Sequence, residues 1–298
     1  MNFEKTLAID IGGTFIKFGV VEESGEISEH YKIPTSKFDS AKQFYDYVCD
    51  NIHDLKGIKR IGVSAPGLID REFNVRSSAA PSLAAIYNTN ISKEMEKRTQ
   101  IYTTALNDGK AAGLCEVNLG KGKGTNLSAY LIIGTGGGGC ICLGNKILGG
   151  ADNFAGEFHF MAYPSDDEVV KVGRTIGMMG LVNSYNENVD ETERATLGEE
   201  ITRKALQGDE TAKRVVDQWI YKIAIQCLNL IVVLNPDILC IGGGISEEGW
   251  FIEQVKAEYA RISYEHFNRN TPFLTTVIDR CQYRNDANLL GAAIKANE

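Results

Sequence analysis

The sequence is marked first by what it does not contain. No run of apolar residues is long enough to cross a bilayer, and the opening MNFEKTLAID sets acid and base beside a strand-like run, unlike a signal peptide. A cytoplasmic protein with no membrane partner is expected. No Lys/Arg cluster is dense enough to follow a phosphate backbone, and the net charge is −8, so nucleic acid is not an expected partner. No second cysteine pair accompanies Cys140 and Cys142 to complete four zinc ligands. Cysteines elsewhere sit mostly in apolar runs such as DILCIGGG and read as free thiols in a reducing compartment. There is no low-complexity segment and no G-x-x-x-x-G-K-[ST] Walker loop.

What is present is a chain of 298 residues, 43% hydrophobic and 23% charged, with room for one large α/β unit or two lobes. Residues 6–22, TLAIDIGGTFIKFGVVE, read as two strands around a glycine turn, and EISEHYKI as a third. The spacing of Phe44, Val48, Ile52 and Leu55 predicts a helix over 40–56. RIGVSAPGLID reads as a buried strand ending in a Pro-Gly turn, SKEMEKR as a short helix, QIYTTAL as a strand, and Asn107-Asp108 as the start of a helix. After a glycine-rich turn at 120–124 the opening pattern returns, because LSAYLIIGTGGGGCICLGNKIL is again strand, glycine turn, strand. Helices are predicted over 168–184, 192–206 and 209–234. PDILCIGGGIS then reads as strand, glycine loop and a helix capped by Ser246, before a strand, LTTVIDR, and a last helix, DANLLGAAIKA.

Three glycine turns follow strands: Asp10 to Thr14 with Gly12 and Gly13, Gly134-Thr135-Gly136-Gly137 on to Gly139, and Gly242-Gly243-Gly244. Glycine lets a backbone approach a phosphate and aim N–H groups at it. The middle turn matches G-x-G-x-x-G, but a dinucleotide fingerprint opens a helix, whereas CICLGNKIL alternates like a strand. Hairpin turns of this kind point to the actin-like ATPase fold. Asp10 reads either as a Mg²⁺ partner through water or as a turn-stabilising residue. Thr14 either bonds a phosphate or favours the strand, and Lys17 either faces the phosphates or is solvated.

Asn107-Asp108 closes an extended run where a helix begins. An Asp there is either a cap or, where the half-repeats meet, a general base that accepts a sugar hydroxyl's proton, with Asn107 bonding a neighbouring hydroxyl. An ordinary Asp pKa of about 3.9 leaves it ionised at neutral pH. Glu157, in Ala155-Gly156-Glu157, is either a surface residue or an acceptor for sugar hydroxyls.

Together these motifs resemble the ROK family (repressors, open reading frames and sugar kinases) over essentially the whole chain. Asp10–Thr14 resembles its first phosphate loop, and Gly134–Gly139 its second. Ser64-Ala65-Pro66-Gly67 resembles its sugar-side turn, and Gly242–Ser246 its adenosine-side loop. Asn107-Asp108 with Ala111, Ala112 and Glu116 resembles its N-D-x-x-A-A-x-x-E segment, whose Asp is the base. Ala155–Glu157 resembles its sugar-binding A-G-E string. The chain departs where the family continues to a zinc-binding histidine. Here the string runs Glu157-Phe158-His159-Phe160, and GRTIGMMGLV replaces the cysteine loop. No zinc is expected, and His159 either touches the sugar or packs. Ser82 stands where the family has an Asn that contacts sugar, and the shorter side chain implies room for a larger or differently substituted sugar.

The resemblance implies an α/β fold of two duplicated actin-like, ribonuclease H-like lobes with a cleft between them. Residues 1–118, completed by 287–298, would carry the first phosphate loop and the base. Residues 119–286 would carry the second loop and the adenosine side. The implied function is ATP- and Mg²⁺-dependent phosphorylation of a hexose or β-glucoside, at the 6-hydroxyl, with a homodimer as a possible assembly. N-acetylmannosamine kinase, glucokinase or fructokinase activity are the alternatives. A sugar-sensing regulator is disfavoured, since a phosphate loop starting at residue 10 leaves no room ahead for a helix-turn-helix.

Overall fold

The computed structural model describes residues 3–77, 81–165, 168–269, 274–284 and 286–298. The first stretch runs β1 (Thr6–Ile11), β2 (Phe15–Val21), β3 (Ile27–Pro34), α1 (Ala41–Asp50), β4 (Arg60–Ala65), α2 (Ile91–Thr99), β5 (Thr103–Asn107) and α3 (Asp108–Leu119). The middle continues with β6 (Leu127–Ile133), β7 (Gly137–Leu143), β8 (Lys146–Ile147), β9 (Ala162–Ser165), β10 (Glu168–Lys171), α4 (Val172–Ile176) and α5 (Met178–Asn186). The chain ends with α6 (Gly198–Leu206), α7 (Glu210–Leu234), β11 (Ile238–Gly242), α8 (Gly249–His266), β12 (Val277–Arg280) and α9 (Ala287–Ala296).

These elements fall into two compact units. Unit 1 holds residues 1–123, 145–155 and 285–298, and unit 2 holds 124–144 and 156–284. In unit 1 the sheet order is β3-β2-β1-β4-β5, with β1 antiparallel to β2 but parallel to β4, and β4 parallel to β5. In unit 2, β6 is antiparallel to β7 and parallel to β11, which is parallel to β12. The same hairpin-then-parallel order therefore occurs twice, as the repeated strand–glycine–strand pattern predicts. Both units also place a left-handed glycine after the second parallel strand, Gly67 after β4 and Gly243 after β11, each with φ 94°.

In unit 1 the apolar faces of β1, β2 and β4 close over Phe44, Tyr45 and Val48 of α1 and Met95 of α2. On the other side α9 packs on β1, β4 and α3. That contact needs glycine, because a Cβ on Gly291 would sit 1.9 Å from the Ala111 carbonyl oxygen. Gly291→Ala is therefore expected to lower stability by about 1–3 kcal/mol. A urea midpoint that falls at unchanged slope would register this; an unmoved midpoint would contradict it. In unit 2 the core gathers Leu131, Ile133, Leu239 and Ile241 from the sheet around Trp219 and Ile223 of α7. By length and composition alone α7 passes for a membrane span. Its apolar stripe is the centre of this core: Val216, Trp219, Ile220, Ile223, Cys227 and Leu230 are all buried.

Several predicted elements change shape. The helix expected over 40–56 stops at Asp50, and Ile52 and Leu55 pack on the core from the loop beyond. Apolar spacing there outlasts the helix. The helix expected over 168–184 is β10, α4 and α5, broken at the extended Gly177. Trp219 Nε1 donates to the Ile176 carbonyl at 2.8 Å, at the last residue of α4. The helix expected over 192–206 shortens to α6, behind a 3₁₀ turn at Glu191–Glu193. Ser246 does not cap α8. Its hydroxyl donates to the Gly243 carbonyl at 2.7 Å, and Glu248 occupies the N-cap.

Candidate active site

In unit 1 three neighbouring parallel strands carry polar residues at or one residue before their carboxyl ends. Asp10 of β1 lies opposite Ser64 of β4, and Ala65 of β4 lies opposite Asn107 of β5. Open α/β sheets bind ligands just outside such carboxyl ends, where backbone groups lose their sheet partners and helices begin.

Asp10 is only 6% exposed. Its Oδ1 accepts from Ser64 Oγ at 2.9 Å and from Asn288 Nδ2 at 3.1 Å. Lys17, its cross-strand partner, sets Nζ 3.5 Å from Oδ2. The buried oxygens are thus satisfied and the carboxylate's direction is fixed. Lys17, read as either facing the phosphates or solvated, keeps its side chain 30% exposed. It pairs with Asp10.

The β1–β2 turn is closed by Gly12 N–H donating to the Phe15 carbonyl at 3.0 Å. Thr35 braces it from the side, its hydroxyl donating to the Gly12 carbonyl at 2.7 Å and its N–H to the Thr14 carbonyl at 2.8 Å. In a trans peptide the N–H points opposite to the C=O. The Gly13 N–H is therefore directed away from Thr35, at a tip where Gly13 and Thr14 are exposed.

The Pro66-Gly67 turn is joined to the end of β5. Asn107 Nδ2 donates to the Gly67 carbonyl at 2.8 Å, and Asn107 Oδ1 accepts from Gly109 N–H at 2.9 Å and Lys110 N–H at 3.3 Å. Asn107 is thus the N-cap of α3. The capping role that an Asp at a helix start often fills belongs to its neighbour, leaving Asp108 as the first helical residue. Asp108 is half-buried, with Oδ1 accepting from Gly109 N–H at 2.8 Å. A carboxylate there sits favourably at the positive end of the helix. Ser82 falls in the 3₁₀ turn Pro81–Ile86, and its side chain lies outside the described residues.

Unit 2 builds its glycine turns by the same rule. Gly134 N–H donates to the Gly136 carbonyl at 2.8 Å, while the carbonyls of Gly134 and Thr135 accept from Met178 and Met179 at 2.9 and 3.1 Å. With those carbonyls held by the start of α5, the N–H groups of Thr135 and Gly136 face away from it. The Gly242–Gly244 turn lies beside this one, because Gly242 pairs with Ile132, two residues before Gly134. Only glycine fits at Gly243, since φ is 94° and a Cβ would stand 1.9 Å from the Ile133 carbonyl oxygen.

Glu157 and His159 belong to unit 2. Glu157 is 8% exposed and precedes the 3₁₀ turn Phe158–Phe160. His159 packs on the second glycine turn. A Cβ on Gly173 would lie 2.1 Å from its Nδ1, and its ring hydrogen-bonds the Gly137 backbone. Burial, followed by the charges of Lys171 and Arg174, pulls the imidazole pKa below its ordinary value. Phe160 lies under Lys171, whose Nζ is 4.6 Å from the ring centroid.

The structure therefore gathers Asp10, the Gly12–Thr14 turn, Lys17, Pro66, Gly67, Asn107 and Asp108 within unit 1. It gathers Gly134–Gly137, Gly242–Gly244 and His159 within unit 2. Sequence reading missed Thr35 and Asn288, which brace these positions, and Lys110, whose Nζ donates to the Asn153 carbonyl. No local motif marks any of them, because each acts on a turn or strand end remote in the chain.

Comparison with known proteins gives a consistent picture. A family model described as the ROK family matches residues 6–298. A beta-glucoside kinase of Listeria monocytogenes is 29% identical over 97% of this chain and 96% of its own. An N-acetylmannosamine kinase of Vibrio cholerae is 28% identical over 99% of this chain and 100% of its own. Among solved structures, a ROK family glucokinase from Streptomyces griseus, in complex with glucose and AMPPNP, superposes with TM-score 0.79 at 23% identity, covering 98% of this chain and 99% of its own. The fold is the α/β, two-lobed actin-like ATPase fold of these kinases.

Proposed function

The chain belongs to the ROK family, and from that premise we propose that it is an ATP-dependent sugar kinase, a phosphotransferase with an alcohol acceptor. The phosphate goes to a hydroxyl, the 6-hydroxyl, of a hexose or β-glucoside, and Asp108 is the general base. The observation that carries this reading is the end of β5 in unit 1, where Asn107 holds the Gly67 carbonyl and caps α3 so that Asp108 opens the helix, with Asp10 held by Ser64 on the neighbouring strands.

Phosphoryl transfer asks a protein mainly to position groups and stabilise charge. Asn107, tied to Gly67 and capping α3, fixes the acceptor side, and Asp108 takes the hydroxyl proton as the oxygen attacks. The glycine turns at Gly12–Thr14, Gly134–Gly137 and Gly242–Gly244 are of the kind that suits phosphate oxygens, and in the second the Thr135 and Gly136 N–H groups face away from α5. The glucokinase relative's AMPPNP complex supports ATP as donor. Glu157 accepts from sugar hydroxyls, and His159 positions the second glycine turn.

Mg²⁺ fits this donor set in one way. Among the described residues no three His, Cys, Asp or Glu side chains converge, so these residues offer no all-protein cage. Mg²⁺ does not need one, since it keeps waters and is held by one or two carboxylates and the nucleotide's phosphates. Asp10 would hold it through water, where the ion offsets phosphate charge. Work on Mg-ATP and a free sugar suits the cytoplasm.

The test is ADP release with Mg-ATP against a panel of hexoses, N-acetylhexosamines and β-glucosides. Sugar-dependent release is expected, with glucose or a β-glucoside giving the highest kcat/KM. Release that no sugar on the panel raises above the ATP-only rate would end the kinase reading.

A further inference from the structure

Unit 1 contains a recess that the acceptor and phosphate roles leave unassigned. It measures about 400 Å³ and is lined by residues 68–72, Arg76 and residues 151–154, within the range of roughly 300–1,000 Å³ usual for small-molecule sites.

Its walls are built before any ligand arrives. Asp70 organises the first, where Oδ1 accepts the Glu72 and Asn74 N–H groups at 2.9 Å each and Oδ2 accepts Arg76 Nε at 2.7 Å. Burial opposes the Asp70 charge, but hydrogen bonds from Asn74, Arg76 and Glu72 outweigh it and hold the carboxyl below its ordinary pKa. The second wall is tied to the first by Asn153 Nδ2, which donates to the Ile69 carbonyl at 2.8 Å, and by the Arg71 guanidinium on the Gly150 carbonyl. Lys110, 1% exposed, reaches from the first turn of α3 to the Asn153 carbonyl. The recess also adjoins the acceptor residues. Leu68 follows Gly67, which holds Asn107, and Lys110 stands two residues beyond Asp108.

The lining selects a ligand chemistry. Phe154 leaves 45% of its surface exposed, and Asp152 and Glu72 are exposed carboxylates, which only accept hydrogen bonds. Three carboxylates outnumber two guanidiniums, and both guanidiniums already hold protein oxygens. A phosphorylated or acidic substituent would meet the exposed carboxylates of Asp152 and Glu72. A neutral ring with an apolar C–H face and hydroxyls at its edge matches both the aromatic surface and the acceptors.

We propose that this recess is the subsite for the second ring of a glucoside, its C–H face on Phe154 and its hydroxyls donating to Asp152 and Glu72. The proposal rests on the sugar-kinase reading and narrows its substrate to disaccharide-like glucosides.

The experiment compares wild type, Phe154→Ala and Asp152→Asn by ADP release with glucose, cellobiose and maltose, and titrates the same sugars by calorimetry. Each variant is expected to cut kcat/KM for the better disaccharide about tenfold, through KM, while glucose stays within about twofold. Both side chains are exposed, so unchanged thermal unfolding is the expected control. Equal losses on glucose and disaccharide, or no loss on either, would overturn the subsite. Should no sugar release ADP, the kinase reading fails and calorimetry decides the subsite alone. Disaccharide binding weakened about tenfold by Phe154→Ala sustains it; binding that ignores the variant, or no binding, overturns it.

Discussion

Asp108→Asn is expected to lower kcat by about 10²–10⁴-fold while the sugar dissociation constant changes less than about twofold. The split follows from the geometry of the α3 start. An asparagine keeps an oxygen to accept the Gly109 N–H that Asp108 Oδ1 now accepts at 2.8 Å. Asn107 still caps the helix and still holds Gly67, so the acceptor side keeps its shape. What disappears is a group able to take a proton. Loss confined to kcat identifies an interaction that matters in the transition state rather than in binding. Asp108→Asn retaining turnover within tenfold of wild type would remove it from the role of base. A loss carried entirely by KM would make it a sugar-binding residue instead.

How much of this was legible beforehand depends on how local each signal is. The glycine turns and the Asn107-Asp108 step were readable because a tight turn and a helix start are written in adjacent residues. The repeated pattern in LSAYLIIGTGGGGCICLGNKIL was readable for the same reason, and the two sheets share a strand order. Contacts set by packing were not readable. Asn288 reaches Asp10 only because Gly291 lets α9 settle on α3. Nothing near residue 10 announces a partner so far along the chain. Lys110 carries no local signal of burial, yet it is 1% exposed with its Nζ on the Asn153 carbonyl. At the break beside Gly177, Trp219 holds the Ile176 carbonyl, a long-range bond that periodicity cannot register. Ser246 misled for the opposite reason. Its type suits a cap, but its hydroxyl turned back to Gly243.

Asp10→Asn separates a metal-holding carboxylate from a turn-stabilising one, and is expected to lower kcat about a hundredfold at fixed Mg-ATP, with half-maximal rate moved to higher free Mg²⁺. The substitution preserves most local contacts. The amide oxygen can accept from Ser64 Oγ and Asn288 Nδ2, as Oδ1 now does at 2.9 and 3.1 Å. Lys17 loses its partner, but its side chain is 30% exposed and can turn to water. A role limited to the turn would therefore survive in Asn and fail only in Asp10→Ala, which orphans both donors. A role in holding hydrated Mg²⁺ is lost in Asn and in Ala alike, because a neutral amide offers the ion's waters no negative charge. Rates for both variants across a free Mg²⁺ series, with sugar binding measured beside them, distinguish the two. Asp10→Asn with a wild-type Mg²⁺ dependence would leave Asp10 as a structural residue, and the nucleotide's ion would have to be held elsewhere.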